Sequence, residues 1–173
     1  MIVVLMGYMA SGKSMIGNIL ANKLHFNFVD LDAYIEERES RTIAEIFKES
    51  GEIYFRKKET YYLNELLNSN DKTVLSLGGG TPTFGQNLKL ITSNSNVQSY
   101  YLKASIHNLV QRLESETTKR PLIAHLDSKD DLLEFVGKHM FERSQFYREA
   151  SHSIETDNKS KDEIVEQIIL TLF

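Results

Sequence analysis

The first residues whose types and spacing could do chemistry lie in "MGYMASGKSM" at 6–15, where Gly7, Gly12, Lys13 and Ser14 form the pattern Gly-x4-Gly-Lys-Ser. Glycines let backbone N–H groups turn inward on a phosphate, and the N-terminus of a following helix adds the positive end of its dipole. Lys13 can reach the β- and γ-phosphates of a nucleotide, and the Ser14 hydroxyl can ligate Mg²⁺. The pattern therefore predicts phosphate binding, without saying whether the phosphate is transferred.

A pair of aspartates, Asp30 and Asp32, closes the run "FNFVDLD" at 26–32, which predicts a second strand. Alternation along a strand puts both carboxylates on one face. The carboxyl ends of strands line the ligand crevice of an open α/β sheet. One carboxylate could support a metal ion while the other accepts a proton from a substrate hydroxyl. The alternative is a pair of solvated turn residues.

Three consecutive glycines follow the predicted third strand, "KTVLSLGGG" at 72–80. Glycine at the end of a strand lets a ligand approach the backbone closely, although a tight turn without a ligand would use the same residues. Ser76, within the strand, could reach metal-bound water. The triplet Gly78, Gly79 and Gly80 is therefore a candidate substrate contact.

Four arginines complete the set of charged candidates. Arg56 falls early in a predicted helix, Arg120 in a predicted loop, and Arg143 and Arg148 on a late helix. A lone surface arginine is usually only solvated, but a phosphoryl-transfer centre requires cations.

The predicted elements that must position these residues are strands and helices in alternation. The β-branched run "IVVLM" at 2–6 predicts a buried parallel strand. Further strands are predicted at 26–32, 72–80, 97–104 and 152–157, with helices after the phosphate loop, at 42–51, 55–67, 105–113, 130–150 and from Ser160 onward. Thr42 with Glu45, and Ser160 with Glu163, have the spacing of capping boxes.

This order predicts an α/β fold of three layers, α/β/α, around a five-stranded, mainly parallel sheet. Residues 114–129 show little periodicity, so we expect a surface loop there, with a lid at about 114–127.

Size and composition limit the class of protein. A chain of 173 residues predicts one domain, 1–173. The formal net charge of -4 argues against general nucleic-acid binding. The sequence has no run of about eighteen apolar residues, so it predicts no membrane span. The first apolar stretch also lacks the basic residues that begin a signal peptide. Cysteine is absent, which removes disulfides and thiolate metal sites. We expect a cytoplasmic monomer with no nucleic-acid or membrane partner.

Taken in order, these motifs resemble the shikimate kinase family along nearly the whole chain. The stretches that carry the resemblance are "GYMASGKSMIG", "FVDLD", "IAEIFKESGEIYFRKKE", "LSLGGG", "KRPLI" and "ERSQFYREAS". Ala10 departs from the pattern, since the family more often has glycine there. The resemblance implies a P-loop kinase fold with a lid, similar to that of nucleoside monophosphate kinases. It also implies transfer of the γ-phosphoryl group of ATP to the 3-hydroxyl of shikimate, with Mg²⁺, in aromatic amino-acid synthesis.

The resemblance also implies roles for individual residues. Asp32 would be the base, with Lys13 and Arg120 the other catalytic residues, and Arg120 would close with the lid onto ATP. Ser14 would ligate Mg²⁺ directly and Asp30 through water. A substrate-binding region would span about 33–61. ATP would be bound by Ala10, Ser11, Gly12, Lys13, Ser14, Met15, Arg120 and Lys159. Shikimate would be bound by Asp32, Arg56, Gly78, Gly79, Gly80 and Arg143, the two arginines holding its carboxylate.

Other functions would leave different signals. A GTPase would normally carry the guanine signature Asn-Lys-x-Asp, which the sequence lacks. Another small kinase, such as a gluconate kinase, would share the phosphate loop, but "FRKKE" and "LSLGGG" argue against it. A non-catalytic, kinase-like binding module should have lost a catalytic side chain, and all the candidates are present.

Overall fold

The computed structural model describes residues 1–69, 71–116 and 123–173 and has the predicted α/β architecture. The five strands are β1 (Ile2–Met6), β2 (Asn27–Asp30), β3 (Thr73–Ser76), β4 (Val97–Lys103) and β5 (His152–Glu155). The helices are α1 (Lys13–Leu24), α2 (Leu31–Glu39), α3 (Ile43–Leu67), α4 (Asn87–Thr92), α5 (Ile106–Glu114), α6 (Lys129–Tyr147) and α7 (Lys161–Leu172), with a 3₁₀ turn at Thr81–Thr83.

The strands form one sheet in the order β2-β3-β1-β4-β5, and all its pairings are parallel. Strand β1 is buried along its whole length. Its side chains alternate between two cores, with Val4 and Met6 in one and Val3 and Leu5 in the other. Helices therefore cover both faces, and the predicted three-layer fold is confirmed.

The strand order creates a crevice at the carboxyl end of β1. The chain leaves β1 toward β3 and β2 on one side and later returns to place β4 on the other side. Such a reversal separates the connecting loops and opens a cleft where α/β proteins bind ligands. The phosphate loop, the end of β2 and the glycines after β3 all meet at this edge of the sheet.

The second strand is shorter than predicted. It ends at Asp30, because the Asp30 carboxylate accepts hydrogen bonds from the backbone N–H groups of Asp32 (3.1 Å) and Ala33 (3.4 Å) and so starts α2. The expectation that Asp30 and Asp32 share one face of a strand was wrong. Asp32 lies in the first turn of a helix, although both carboxylates still line the cleft.

The two helices predicted at 42–51 and 55–67 run together as α3, across a kink at Gly51. Gly51 has φ 82° and ψ 170°, a conformation that glycine adopts without steric penalty. The Thr42–Glu45 capping box is confirmed, as is the Ser160–Glu163 box that starts α7.

The predicted lid at about 114–127 stays a prediction, since residues 117–122, including Arg120, lie outside the described residues. Within the described ranges, no helix combines the length and apolar character needed to cross a bilayer.

Candidate active site

The phosphate loop joins β1 to α1, and its backbone turns inward. Gly7 has φ 151°, and a Cβ there would lie 2.8 Å from the Leu102 carbonyl oxygen. Gly12 has φ 97° and is the N-cap of α1. Ala10, where a glycine would be less strained, also has positive φ, at 63°. Successive turns of this kind expose backbone N–H groups to a bound anion.

Lys13, at the start of α1, is held across the mouth of this loop. Its side chain is buried, and Nζ donates hydrogen bonds to the carbonyl oxygens of Gly7 and Tyr8, each at 2.9 Å. The Ser11 hydroxyl lies 3.5 Å away. The ammonium is therefore already aimed at the space in front of the loop, where phosphate oxygens would replace neutral acceptors.

Three oxygen-bearing side chains meet beside Lys13. The Ser14 hydroxyl donates a 2.7 Å hydrogen bond to Asp30 Oδ2 and lies 3.5 Å from the Ser76 hydroxyl. No group of three or more acidic, histidine or cysteine side chains gathers into a metal cage in the described part of the chain. This donor set fits Mg²⁺, which takes one or two protein oxygens together with phosphates and water.

Asp32 faces this centre from the first turn of α2. Burial, followed by the charges of Asp30 and Glu59, raises the pKa of Asp32 to about 6 against the opposing effect of Lys13 and Arg56. Its Oδ1 lies 3.0 Å from where a Cβ on Gly78 would stand, so a side chain there would crowd the carboxylate. A carboxylate whose pKa lies near neutrality can act as a general base.

Arg56, on α3, is fixed against the glycine triplet by two carboxylates. Its Nη1 donates a 2.8 Å hydrogen bond to Glu59, and its Nε lies 3.7 Å from Glu52. A Cβ on Gly80 would lie only 2.7 Å from Nη2. Gly80 therefore leaves the room that the guanidinium occupies.

Glu59 is a site residue that sequence reasoning missed. It is 1% exposed, and besides pairing with Arg56 it accepts a 2.7 Å hydrogen bond from the Thr81 hydroxyl. Its position three residues after Arg56 on one helix was the available signal.

Arg143, on α6, lies next to the middle glycine of the triplet. Its Cζ is 5.8 Å from the centre of the Tyr8 ring, and its Nη1 is 3.7 Å from where a Cβ on Gly79 would stand. The Tyr147 hydroxyl donates a 2.5 Å hydrogen bond to the Gly79 carbonyl and fixes that peptide. The guanidiniums of Arg56 and Arg143 thus lie next to adjacent glycines, Gly80 and Gly79, where both could reach one carboxylate.

A cleft of about 580 Å³ connects these groups. Arg112, which sequence reasoning also missed, reaches its edge and donates a 2.9 Å hydrogen bond to the Ala10 carbonyl. Lys159 lies at the same end and hydrogen-bonds Gln167 at 3.0 Å. The lining includes these predicted residues: Ala10, Ser11, Gly12, Lys13, Ser14, Met15, Asp30, Asp32, Gly78, Gly79 and Lys159. Arg56, Gly80 and Arg143 lie next to it, beyond Gly78 and Gly79.

Known proteins resemble this chain along nearly its whole length. The family model described as shikimate kinase matches residues 9–173. A shikimate kinase from Flavobacterium psychrophilum is 46% identical over 171 residues, which cover 99% of this chain and 98% of that protein.

Two solved structures extend the likeness to three dimensions. A shikimate kinase from Bacteroides thetaiotaomicron is 31% identical and superposes with a TM-score of 0.89, covering 99% of this chain and 97% of the other. A shikimate kinase from Acinetobacter baumannii, solved in complex with shikimate, is 30% identical with a TM-score of 0.85, covering 99% and 92%.

Proposed function

We infer the activity from one premise: this chain belongs to the shikimate kinase family. It is an ATP-dependent kinase that transfers the γ-phosphoryl group of ATP to the 3-hydroxyl of shikimate, giving shikimate 3-phosphate and ADP. The reaction belongs to aromatic amino-acid biosynthesis. The roles of individual residues, the metal ion and the assembly state given below are our proposals.

Arg56 and Arg143 bind the carboxylate of shikimate in this proposal. What supports it is that the two guanidiniums lie next to adjacent glycines, Arg143 at Gly79 and Arg56 at Gly80, and a planar guanidinium matches a carboxylate with two parallel hydrogen bonds. The glycines let the ring of the substrate lie against the backbone, and Asp32 is close enough to meet its hydroxyls. The substrate-binding region at about 33–61 then supplies Arg56 and its carboxylate partners.

The phosphate loop holds ATP on the other side of Asp32. Lys13 exchanges its carbonyl partners for β- and γ-phosphate oxygens and meets the charge that develops during transfer. The role of Arg120 at the phosphates is inferred from the sequence resemblance alone, and Arg112 and Lys159, which line the cleft, would contact the distal part of the nucleotide. Mg²⁺ would be held by Ser14 directly and by Asp30 through water, and when bound it would neutralise charge on the phosphates.

Asp32 is the proposed base. The oxygen of the substrate hydroxyl bonds to the γ-phosphorus while the bond from that phosphorus to the bridging oxygen of ADP breaks, and the hydroxyl proton passes to the Asp32 carboxylate. The observation that carries this proposal is the position of Asp32 in the cleft, next to the phosphate loop and Gly78. Its pKa of about 6 leaves it mostly ionised at neutral pH and still basic enough to accept a proton. We further propose a monomer that works in the cytoplasm, where ATP and Mg²⁺ are supplied.

One coupled assay of ADP release tests the function. The chain is given ATP and Mg²⁺ with shikimate, gluconate or a nucleoside monophosphate as acceptor. We expect turnover with shikimate alone. A preference for gluconate or a nucleoside monophosphate would contradict the substrate, and binding of shikimate by calorimetry without turnover would favour a non-catalytic module. Omission of Mg²⁺ should abolish turnover.

A further inference from the structure

We propose that Glu39 is a positioning residue that sets the distance between Asp32 and Arg56, the two substrate-binding residues that neighbouring helices present. Glu39 is the last residue of α2, whose first turn carries Asp32. It contacts α3, the helix that carries Arg56. The inference deepens the proposed function and rests on it.

The Glu39 carboxylate is contacted by four donor side chains. Oε1 accepts a 2.7 Å hydrogen bond from the Tyr62 hydroxyl and lies 3.0 Å from Lys58 Nζ. Oε2 accepts a 2.7 Å hydrogen bond from the Tyr54 hydroxyl and lies 3.4 Å from Arg41 Nη2. We call these five residues the Glu39 cluster. The side chain of Glu39 is 7% exposed, so solvent competes little with its partners.

Glu39 contacts one face of α3, and Arg56 lies on the other side of the same helix. Tyr54, Lys58 and Tyr62 follow one another at intervals of four residues and so form a single stripe along the helix. At about 3.6 residues per turn, Arg56 lies on roughly the opposite side of the helix from this stripe and Glu59 lies between them, and both side chains meet the glycine triplet. Rotation or sliding of α3 against α2 would break the stripe's contacts with Glu39 and move Arg56 at the same time.

The cluster also spans the kink in α3. Arg41, which pairs with Glu39, donates hydrogen bonds to Glu49 (3.3 Å) and Ser50 (3.2 Å), both just before Gly51. Tyr54 lies just after Gly51 and bonds to Glu39 itself. The conformation at the kink, and with it the direction of the helix that carries Arg56, is therefore tied to the end of α2.

The charge of Glu39 is maintained under all working conditions. Hydrogen bonds from Tyr54 and Tyr62, followed by the contact with Lys58, lower the pKa of Glu39 to about 2. A permanently ionised acceptor makes stronger hydrogen bonds than a neutral amide would. The substitution Glu39→Gln keeps the shape of the side chain and removes the charge, so it is the appropriate test.

Glu65 offers a matched control. It also joins α2 to α3, by accepting a 2.5 Å hydrogen bond from the Tyr34 hydroxyl and by pairing with Arg38 at 3.4 Å. Its side chain is 41% exposed, and its partners do not span the kink. Glu65→Gln therefore removes one carboxylate between the same two helices and keeps the contacts that span the kink in α3.

The experiment measures KM for shikimate and KM for ATP in the wild-type chain and in three variants, Glu39→Gln, Tyr54→Phe and Glu65→Gln, with folding checked by denaturant titration. Glu39→Gln should raise KM for shikimate by about tenfold, since small misplacements of binding groups are costly, and leave KM for ATP within about twofold. Tyr54→Phe removes one donor without stranding a charge, and should raise KM for shikimate by about two- to threefold. Glu65→Gln should match the wild type.

The difference between the two KM values separates positioning from general stability, because a general loss of structure would affect both substrates. A folded Glu39→Gln or Tyr54→Phe with unchanged KM for shikimate, equal rises in both KM values, or the same effect from Glu65→Gln would overturn the inference while leaving the proposed function intact. Failure of the wild-type chain to phosphorylate shikimate would overturn the proposed function and the inference with it.

Discussion

Titration of Asp32 gives the sharpest test of the proposed mechanism. Its pKa in the ligand-free protein is about 6, raised first by burial and then by Asp30 and Glu59. With that pKa, about nine-tenths of Asp32 is ionised at pH 7 and about one-tenth at pH 5. If the ionised form is the base, kcat/KM for shikimate should fall by about tenfold between these two pH values.

Asp32→Asn tests whether that acidic limb belongs to Asp32. The amide keeps the size of the side chain but cannot accept the proton, so kcat should fall by at least about tenfold. The remaining activity should no longer decrease as the pH falls through about 6. The assay is initial-rate kinetics from pH 5 to 8 at saturating Mg²⁺ and ATP, with the carboxyl ¹³C shift of Asp32 followed by NMR in the free protein. Retention of the same acidic limb in the variant would refute the assignment, because another group would then be titrating.

The same pKa has a consequence for stability. The folded-state pKa of about 6 exceeds the ordinary value of 3.8, so the uncharged form favours the folded state. The contribution is complete below the unfolded-state pKa and is lost as the pH rises through about 6. Removal of the charge should therefore stabilise the protein at pH 7, and Asp32→Asn should raise the free energy of unfolding by at most about 3 kcal/mol, less to the extent that solvent reaches the carboxylate. A less stable variant at pH 7 would contradict this sign.

Four further changes test other parts of the site and the fold. Lys13→Ala should lower kcat by about 10²–10³-fold in a folded protein, because Lys13 stabilises the charge that develops on the transferred phosphoryl group; near-normal kcat would exclude that role. Arg56→Lys should raise KM for shikimate by about tenfold and spare KM for ATP, since an ammonium cannot match a carboxylate bidentately. Gly80→Ala should do the same, because its Cβ would displace the Arg56 guanidinium; equal effects on both substrates would indicate general distortion. Ser160→Ala, which breaks the capping box with Glu163, should lower the free energy of unfolding by about 1 kcal/mol in denaturant titration and leave kcat unchanged.

Sequence reasoning succeeded where the chemistry is local. The glycines, Lys13 and Ser14 encode their own backbone geometry over eight consecutive positions, 7–14, and the structure has the strand, loop and helix that the motif predicted. The capping box at Thr42 likewise specified a helix start. The same kind of local signal was overlooked at Asp30, whose side chain ends β2 by capping α2, and the alternation argument failed for that reason.

Sequence reasoning failed where the function of a residue depends on distant partners. Nothing near Glu39 in the sequence indicates that it meets Tyr62, and nothing near Arg112 indicates that it reaches the Ala10 carbonyl. Gly51 was expected to end a helix, and its backbone is indeed non-helical; the sequence did not show that a second helical segment follows directly, so that the two form one kinked helix. The proposed role of Arg120 stays a prediction from the sequence alone.

The position of β1 in the sheet has a consequence for how the chain folds as it is made. Strand β1 is the centre of the sheet, yet Ile2 pairs with Thr73 on one side and Val97 on the other, so both neighbours follow much later in the chain. At ribosomal rates of about 5–20 residues per second, β1 stays unpaired for several seconds before its first partner, β3, has been synthesised. During that time five consecutive apolar residues with two unpaired edges are available to other chains, which is the pattern of an aggregation-prone segment. The yield of native protein in the cell therefore depends on how well the nascent chain is protected during that interval, as well as on the stability of the finished fold.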